Sequence, residues 1–281
     1  MTSELTPLWG KRNTFLLPII ILMEIFHSRH LLYLLVKRDL VTRYRRAYLG
    51  FTWAIIEPLL LAGVYSIIFT ILVGRSDSLY AVKVVLGVIG WGLFSRSLLS
   101  SANSLTTSVN LFQFARVPKS VFAINGAFTA ATLSLVSLFS VIPFYFVHDL
   151  PILVSVLLVP FWLFMLCFTG WSFGLLVAPI SCKIPDVLKF VNFLVRAGFF
   201  LSPVMWTYDM FSGRFGGGWP SVVAHLNPTV VPLTGLRDAI LGTSSNVPTW
   251  GVAMWVIMTL LVYVWGSIVF ERKSHLAVVY I

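Results

Sequence analysis

The chain has 281 residues, of which 58% are hydrophobic, 15% aromatic and only 11% charged, with a mean hydropathy of +0.91. A soluble domain carries about 25% charged residues, so these figures exclude an ordinary globular enzyme and indicate an integral membrane protein. The net charge of +10 does not argue for nucleic acid, because the cations cluster at the ends of apolar runs, where lipid phosphates and membrane orientation account for them.

Residues 1–50 hold eight of the twenty cations, which places the N-terminus in the cytoplasm. The apolar run Phe15–Phe26 is twelve residues long, contains Pro18 and Glu24, and lacks a small-residue cleavage site after it. It is too short to span and is expected at the interface rather than as a signal peptide. His27 and His30 have no third ligand nearby, so they read as interfacial polar residues and not as a metal site. The stretch Lys37–Pro58 then passes from water to lipid. Tyr33, Val36, Leu40, Tyr44, Ala47 and Phe51 recur at helical spacing. Arg38, Arg45 and Arg46 fall on the opposite half. The pattern predicts an amphipathic interface helix with its cations toward phosphates, feeding a transmembrane helix. Lys37, Arg38, Arg43, Arg45 and Arg46 read equally as a topology signal or as a contact for an anionic substrate.

The first span is expected over 51–73. Its 23 residues rise about 34 Å as a helix, enough for a hydrocarbon core of about 30 Å. Glu57 lies inside this span, where an ionisable group implies pairing or function, with an arginine of the preceding helix as the expected partner. The second span is expected over 82–99, with Gly87, Gly90 and Gly92 permitting close approach or a bend and Arg96 snorkelling at its inner end. Residues 100–120 are polar. Within them Ser108–Arg116 is expected as a short helix, ended by Pro118 and projecting Phe112 and Phe114, a surface of the kind that docks a cytoplasmic partner.

The third span, 121–147, shows a small-residue face at Ala123, Ala127, Ala130, Ser134 and Ser137. The fourth, 152–178, carries Gly170 and Gly174 at a spacing that means helix packing more often than dimerisation. A short inner loop precedes the fifth, 190–206, which bears Arg196 in mid-run. Such a cation is expected to face protein or a water-filled path, as a salt bridge or as a ligand contact. Residues 208–249 are too apolar for a solvated loop and too interrupted by Pro220, Pro228 and Pro232 to span, so re-entrant half-helices are expected. The sixth span is 250–270. With six spans, fourteen cations fall on inner segments and four on outer ones, the asymmetry that orients membrane proteins. Cys167 and Cys182, the only cysteines, read as packing residues.

No Walker-type phosphate loop, metalloprotease motif or nucleophile elbow occurs. Only Glu57 offers a carboxylate inside a span, so the energy source is expected on another subunit.

The ordered set LVKRDL, RYRRAYLGFTW and EPLL (Leu35 to Leu60), LGVIGW (Leu86 to Trp91), Asn110-Leu111 with Val117-Pro118, LSPV (Leu201 to Val204), and LNP followed by Arg237-Asp238 resembles the ABC-2 type permeases that export bacterial surface polysaccharides. These are the membrane subunits of O-antigen, teichoic acid, capsule and galactan exporters. The inner loop departs from the family pattern, reading Ile184-Pro185-Asp186-Val187 where members often have Arg-Asp-Val.

The resemblance implies an all-α integral membrane protein with six transmembrane helices per subunit and a homodimeric channel. Residues 1–50 form a cytoplasmic N-terminus with the interface helix, and 51–281 form the transmembrane domain. A coupling-helix loop at 102–119 (Ser108, Asn110, Phe112, Phe114, Arg116) docks on a separate ABC ATPase subunit, which holds the ATP and Mg. No cofactor or metal is implied for this chain. Gate helices fall at 208–243, with Asn227, Pro228, Arg237 and Asp238. The implied substrate is a polyprenyl-diphosphate-linked glycan leaving through the plasma membrane of a bacterium, with both termini cytoplasmic. A diphosphate needs inner cations, and a glycan path needs aromatics, for which Tyr65, Phe69, Trp91, Phe94 and Phe199 are the candidates. Alternatives are an ABC-2 exporter of drugs or small lipids, against which the long interface helix and the outer re-entrant segment argue, and a membrane-bound transferase acting on polyprenyl phosphate. Asp39 and Glu57 offer too few carboxylates for the transferase.

Overall fold

In lipid every backbone polar group must be satisfied within its own segment or by protein, and the chain meets this demand with helices. The computed structural model describes residues 14–45, 48–73, 79–108, 117–150, 153–216, 218–245 and 247–274, and no strand occurs among them. Helix α1 (Leu17–His27) bends by 71° into α2 (Arg29–Tyr44) at Ser28. A single 3-10 turn (Gly50–Thr52) leads into α3 (Trp53–Val73), followed by α4 (Tyr80–Thr107) and α5 (Lys119–Ser137). Another 3-10 piece (Leu138–Val141) joins α5 to α6 (Ile142–Val147), and a further one (Val154–Leu158) precedes α7 (Val159–Lys183). Helix α8 (Pro185–Leu201) follows, then three short helices, α9 (Tyr208–Phe215), α10 (Trp219–His225) and α11 (Val230–Leu241), and last α12 (Thr249–Lys273).

Among the described residues five segments are long and apolar enough to cross a membrane, namely Gly50–Ile68, Tyr80–Thr107, Lys119–Val147, Val154–Lys183 and Thr249–Lys273; the bent pair α1 and α2, taken as one, makes six. The chain is a multi-pass membrane protein. The expected fifth span corresponds to α8, which begins and ends five residues earlier than 190–206. Pro185 starts it, and Pro203 disfavours helix at Ser202, whose ψ is 155°. Its 17 residues rise about 26 Å, at the lower limit of what bridges the hydrocarbon.

Helix α4 is central. It packs most extensively on α7 and α5, and also on α3, α8 and α11. It runs eight residues beyond the expected end at Leu99, through the polar stretch beginning at Ser100. The serines there are tolerated because their hydroxyls return to carbonyls: Ser101 donates to Ala123 O across the α4–α5 contact, and Ser104 donates to Ser101 O at 2.7 Å. Gly170 and Gly174 let α7 lie against α4, since a Cβ at either would run into the α4 backbone at Phe94 or Leu98. That spacing therefore serves packing within the chain. The small face of α5 is buried throughout. Pro143 lacks an N–H and crowds the carbonyl four residues back, which accounts for the 3-10 interruption before α6. Helix α1 lies along α12 and is held there by Tyr263 Oη, which donates to Pro18 O at 2.8 Å. Both cysteines are free, and each lies within 3.7 Å of a hydroxyl.

Candidate functional site

Three regions carry the expected functional residues. The first is α2. Leu32 and Leu35 are its buried positions and pack it on α5, while Tyr33, Leu34 and Val41 are exposed. Lys37, Arg38, Arg43 and Arg45 are all exposed; Arg46 and Ala47 lie outside the described residues. Arg38 pairs with its neighbour on the exposed face, its Nε and Nη2 donating to Asp39 Oδ1 at 2.9 and 2.8 Å. The other Asp39 oxygen accepts from Asn125 Nδ2 at 2.6 Å, tying α2 to α5. Tyr44 and Phe51 face each other with ring centres 4.7 Å apart, closing the passage from α2 to α3. Glu57 is exposed and has no ion pair among the described residues, and Arg96 of α4 is the cation within its electrostatic reach. Among the described residues no arginine of the preceding helix pairs with Glu57.

The second region is an aromatic cluster. Tyr65 and Phe199 approach to 5.3 Å, Trp91 and Phe94 to 5.3 Å, and Trp91 and Phe199 to 6.5 Å. Four of the five aromatics singled out in the sequence, drawn from α3, α4 and α8, thus meet in one place; the side chain of Phe69 lies outside the described residues. Trp91 and Phe94 are buried at 8% and 5% exposure, whereas Tyr65 and Phe199 are half-exposed and form the rim. Gly198 admits the edge of the Trp91 ring to α8, where a Cβ would approach it to 2.9 Å.

Helix α8 itself has no fully buried residue. Asp186, Lys189, Phe193, Arg196 and Phe200 are all exposed and recur at alternating intervals of three and four, so they form one stripe along the helix. Asp186 and Lys189 pair at 2.9 Å. Arg196 sits between the two phenylalanines and has no ion pair among the described residues. Sequence reasoning noted Arg196 alone; the spacing that makes the stripe was present in the sequence.

The third region joins α8 to α11. Asn227 Nδ2 donates to Ser202 Oγ at 2.9 Å and Leu201 O at 3.3 Å, while its Oδ1 accepts from Thr229 N and Oγ1 at 3.0 and 2.8 Å. It therefore closes the turn that leads into α11 and pins the end of α8, with Pro228 inside that turn. Arg237 is buried at 4% exposure. It donates to Lys83 O at 2.9 Å, Trp206 O at 3.1 Å and Val204 O at 2.7 Å, so one guanidinium satisfies two carbonyls that irregular backbone would leave open and ties them to α4 at Lys83. Gly87 makes the room, since a Cβ there would meet the guanidinium at 2.6 Å. Asp238 points the other way and accepts from Thr243 Oγ1, Ser245 Oγ and Ser245 N. Helix α10 is fastened by His225, whose ring packs on Tyr208 and Trp250 and whose Nδ1 meets Ser221 O at 2.7 Å.

Of the expected docking loop, Ser108 ends α4 half-buried; Asn110, Phe112, Phe114 and Arg116 lie outside the described residues. Among the described residues no group of three metal-binding side chains occurs.

Comparison with known proteins gives a consistent result. A family model described as "ABC-2 type transporter" matches residues 30–241. A protein of Klebsiella pneumoniae called O-antigen export system permease protein RfbA is 23% identical over 217 residues, covering 77% of this chain and 82% of its own. A second protein of that name and organism is 23% identical over 246 residues, covering 87% and 92%. One of the same name from Myxococcus xanthus is 24% identical over 262 residues, covering 90% and 95%.

Proposed function

The chain belongs to the ABC-2 type transporter family, a family of transporter membrane subunits, and on that footing we propose that it is the permease of an ATP-driven exporter of polyprenyl-diphosphate-linked polysaccharide. Its relatives are named for O-antigen export, which favours this reading over a drug or small-lipid exporter. Two copies enclose the path. A separate ATPase subunit, holding ATP and Mg, docks on the loop around 108–116. The membrane is the bacterial inner membrane, with both termini cytoplasmic. Lys37, Arg43, Arg45 and Arg46 gather the diphosphate at the inner headgroup level, while Arg38 holds Asp39.

The observation that carries the reading is the exposed stripe on α8. A mid-helix cation without a partner is costly against hydrocarbon, so this face is covered by a second subunit and a wet passage. Phe193 and Phe200, with Tyr65 and Phe199 on the adjoining rim, offer ring faces on which sugars stack, while Trp91 and Phe94 back them. The three short helices α9 to α11 form the outer gate, which Asn227, Pro228, Arg237 and Asp238 shape by bonding to backbone.

The test is deletion of the gene. Lipid-linked glycan accumulates inside the cell and the surface polymer disappears, and both return on complementation. Unchanged surface glycan with a new drug sensitivity would establish the small-molecule alternative instead.

A further inference from the structure

A cavity of about 500 Å³ opens where α2, α4 and α5 meet, lined among others by Thr42, Arg43, Arg96, Ser100 and Thr129. Its volume is that of small-molecule sites, and its largely apolar lining carries two arginines and the hydroxyls of Thr42, Ser100 and Thr129. Arg96 is the central feature. Its guanidinium folds back over Gly92, where a Cβ would crowd it at 3.0 Å. Nη2 reaches Ser134 Oγ at 3.3 Å, a long bond, and Nε is sealed from solvent with no acceptor among the described residues. On the facing side Gly126 lets Ser100 approach α5 so closely that a Cβ would collide with it. Arg43 lines the open side, within electrostatic reach of Arg96. The carboxylate at this cavity, Asp39, is already held by Arg38 and Asn125. Glu57 and Tyr44 are the other ionisable groups within reach of Arg96. Two arginines therefore face one hollow whose own lining carboxylate, Asp39, is already taken, while Glu57, which does not line it, is the carboxylate without an ion pair among the described residues within reach of Arg96.

We propose that this cavity is a phosphoanion site, in which the Arg96 fork and Arg43 hold a phosphate or diphosphate group at the level of the interface helix. A guanidinium presents parallel donors that match phosphate oxygens, and partial burial strengthens each such bond. The site stands on the cavity alone. Its occupation by the diphosphate of the transported lipid rests on the export reading, and a resident anionic phospholipid offers the same chemistry.

The full chain in detergent micelles tests this by native mass spectrometry and competition binding. The probes are geranylgeranyl diphosphate, geranylgeraniol, dioleoyl phosphatidylglycerol and dioleoyl phosphatidylcholine. The wild type holds the diphosphate at least tenfold more tightly than the alcohol. Arg96→Gln abolishes that preference, Arg96→Lys retains part of it, and Arg43→Gln weakens it severalfold. Thr42→Phe, placed on the exposed rim and leaving both arginines in place, blocks the cavity and serves as the second probe should Arg96→Gln not fold. Preference for the prenyl diphosphate over phosphatidylglycerol assigns the site to cargo; the reverse, with the same Arg96 dependence, assigns it to resident lipid. Folded Arg96→Gln and Thr42→Phe chains that bind geranylgeranyl diphosphate within twofold of wild type would overturn the site. The assay contains neither glycan nor ATPase, so that failure is separate from a failure of the export reading.

Discussion

Arg237 shows how one side chain replaces missing secondary structure. The segment from Ser202 to Thr207 is irregular, and in a membrane protein its carbonyls have no solvent to fall back on. Removing the guanidinium leaves two of them, Val204 O and Trp206 O, unpaired, each costing about 1–3 kcal/mol, and takes away the donor to Lys83 O on α4. Arg237→Met is therefore expected to cost on the order of 3–5 kcal/mol and to lower the thermal unfolding temperature sharply. Arg237→Lys recovers only part of this, since an ammonium cannot span three acceptors. Asp238, by contrast, caps an exposed loop, and Asp238→Ala is expected to cost about 1 kcal/mol. A thermal shift for Asp238→Ala equal to that for Arg237→Met would refute the distinction. The sequence marks this pair only as adjacent opposite charges; that one points inward and the other outward follows from where α4 and the 202–207 segment lie.

At the scale of elements, α7 and α4 depend on small residues for their approach. Gly174→Leu forces the two backbones apart, at about 1–3 kcal/mol for overpacking, and is expected to reduce the yield of monodisperse protein. Gly213→Leu, at a position with open space, leaves that yield unchanged. Helix α8 behaves differently, because it is held on one side only. Arg196→Leu and Arg196→Glu are expected to insert and fold as wild type, since no described partner is lost, yet to impair export measured as surface glycan. Export at wild-type level in Arg196→Glu would show that the stripe faces lipid or an inert contact. The α8 bounds differ from those read in the sequence because hydrophobicity continues through Val204 to Trp206, whereas Pro203 stops the helix before them. Helix α4 differs for the converse reason: its serines read as loop, but Ser101 donates to a carbonyl of α5 and Ser104 to one of α4 itself, while Ser181 of α7 donates to Ala102 O.

For the whole molecule, the central helix is enclosed by neighbours while α3, α8 and α2 keep broad exposed faces. In a cysteine-free background (Cys167→Ala, Cys182→Ala), single cysteines at Phe193 or Phe200 are expected to cross-link two copies in native membranes. A cysteine at Trp265 on α12, exposed at 66% and away from the stripe, serves as the comparison. Equal cross-linking at all three positions would argue that α8 has no privileged place in a dimer.

Membrane class, the helical composition, most of the spans and the ABC-2 resemblance were all legible in the amino-acid sequence. They depend on local quantities, namely the length of apolar runs, the placement of cations and the order of short motifs. The aromatic cluster was legible only as a set of separate rings, since nothing local dictates that Tyr65, Trp91 and Phe199 meet. The cavity at Arg96 was not legible at all. In the sequence Arg96 is one cation near the end of an apolar run, and snorkelling is its natural reading. Its confinement beside Arg43 arises because Gly92 and Gly126 thin two helices at the level where α2 crosses them, and a hollow between three helices is a property of their packing, which no single segment encodes.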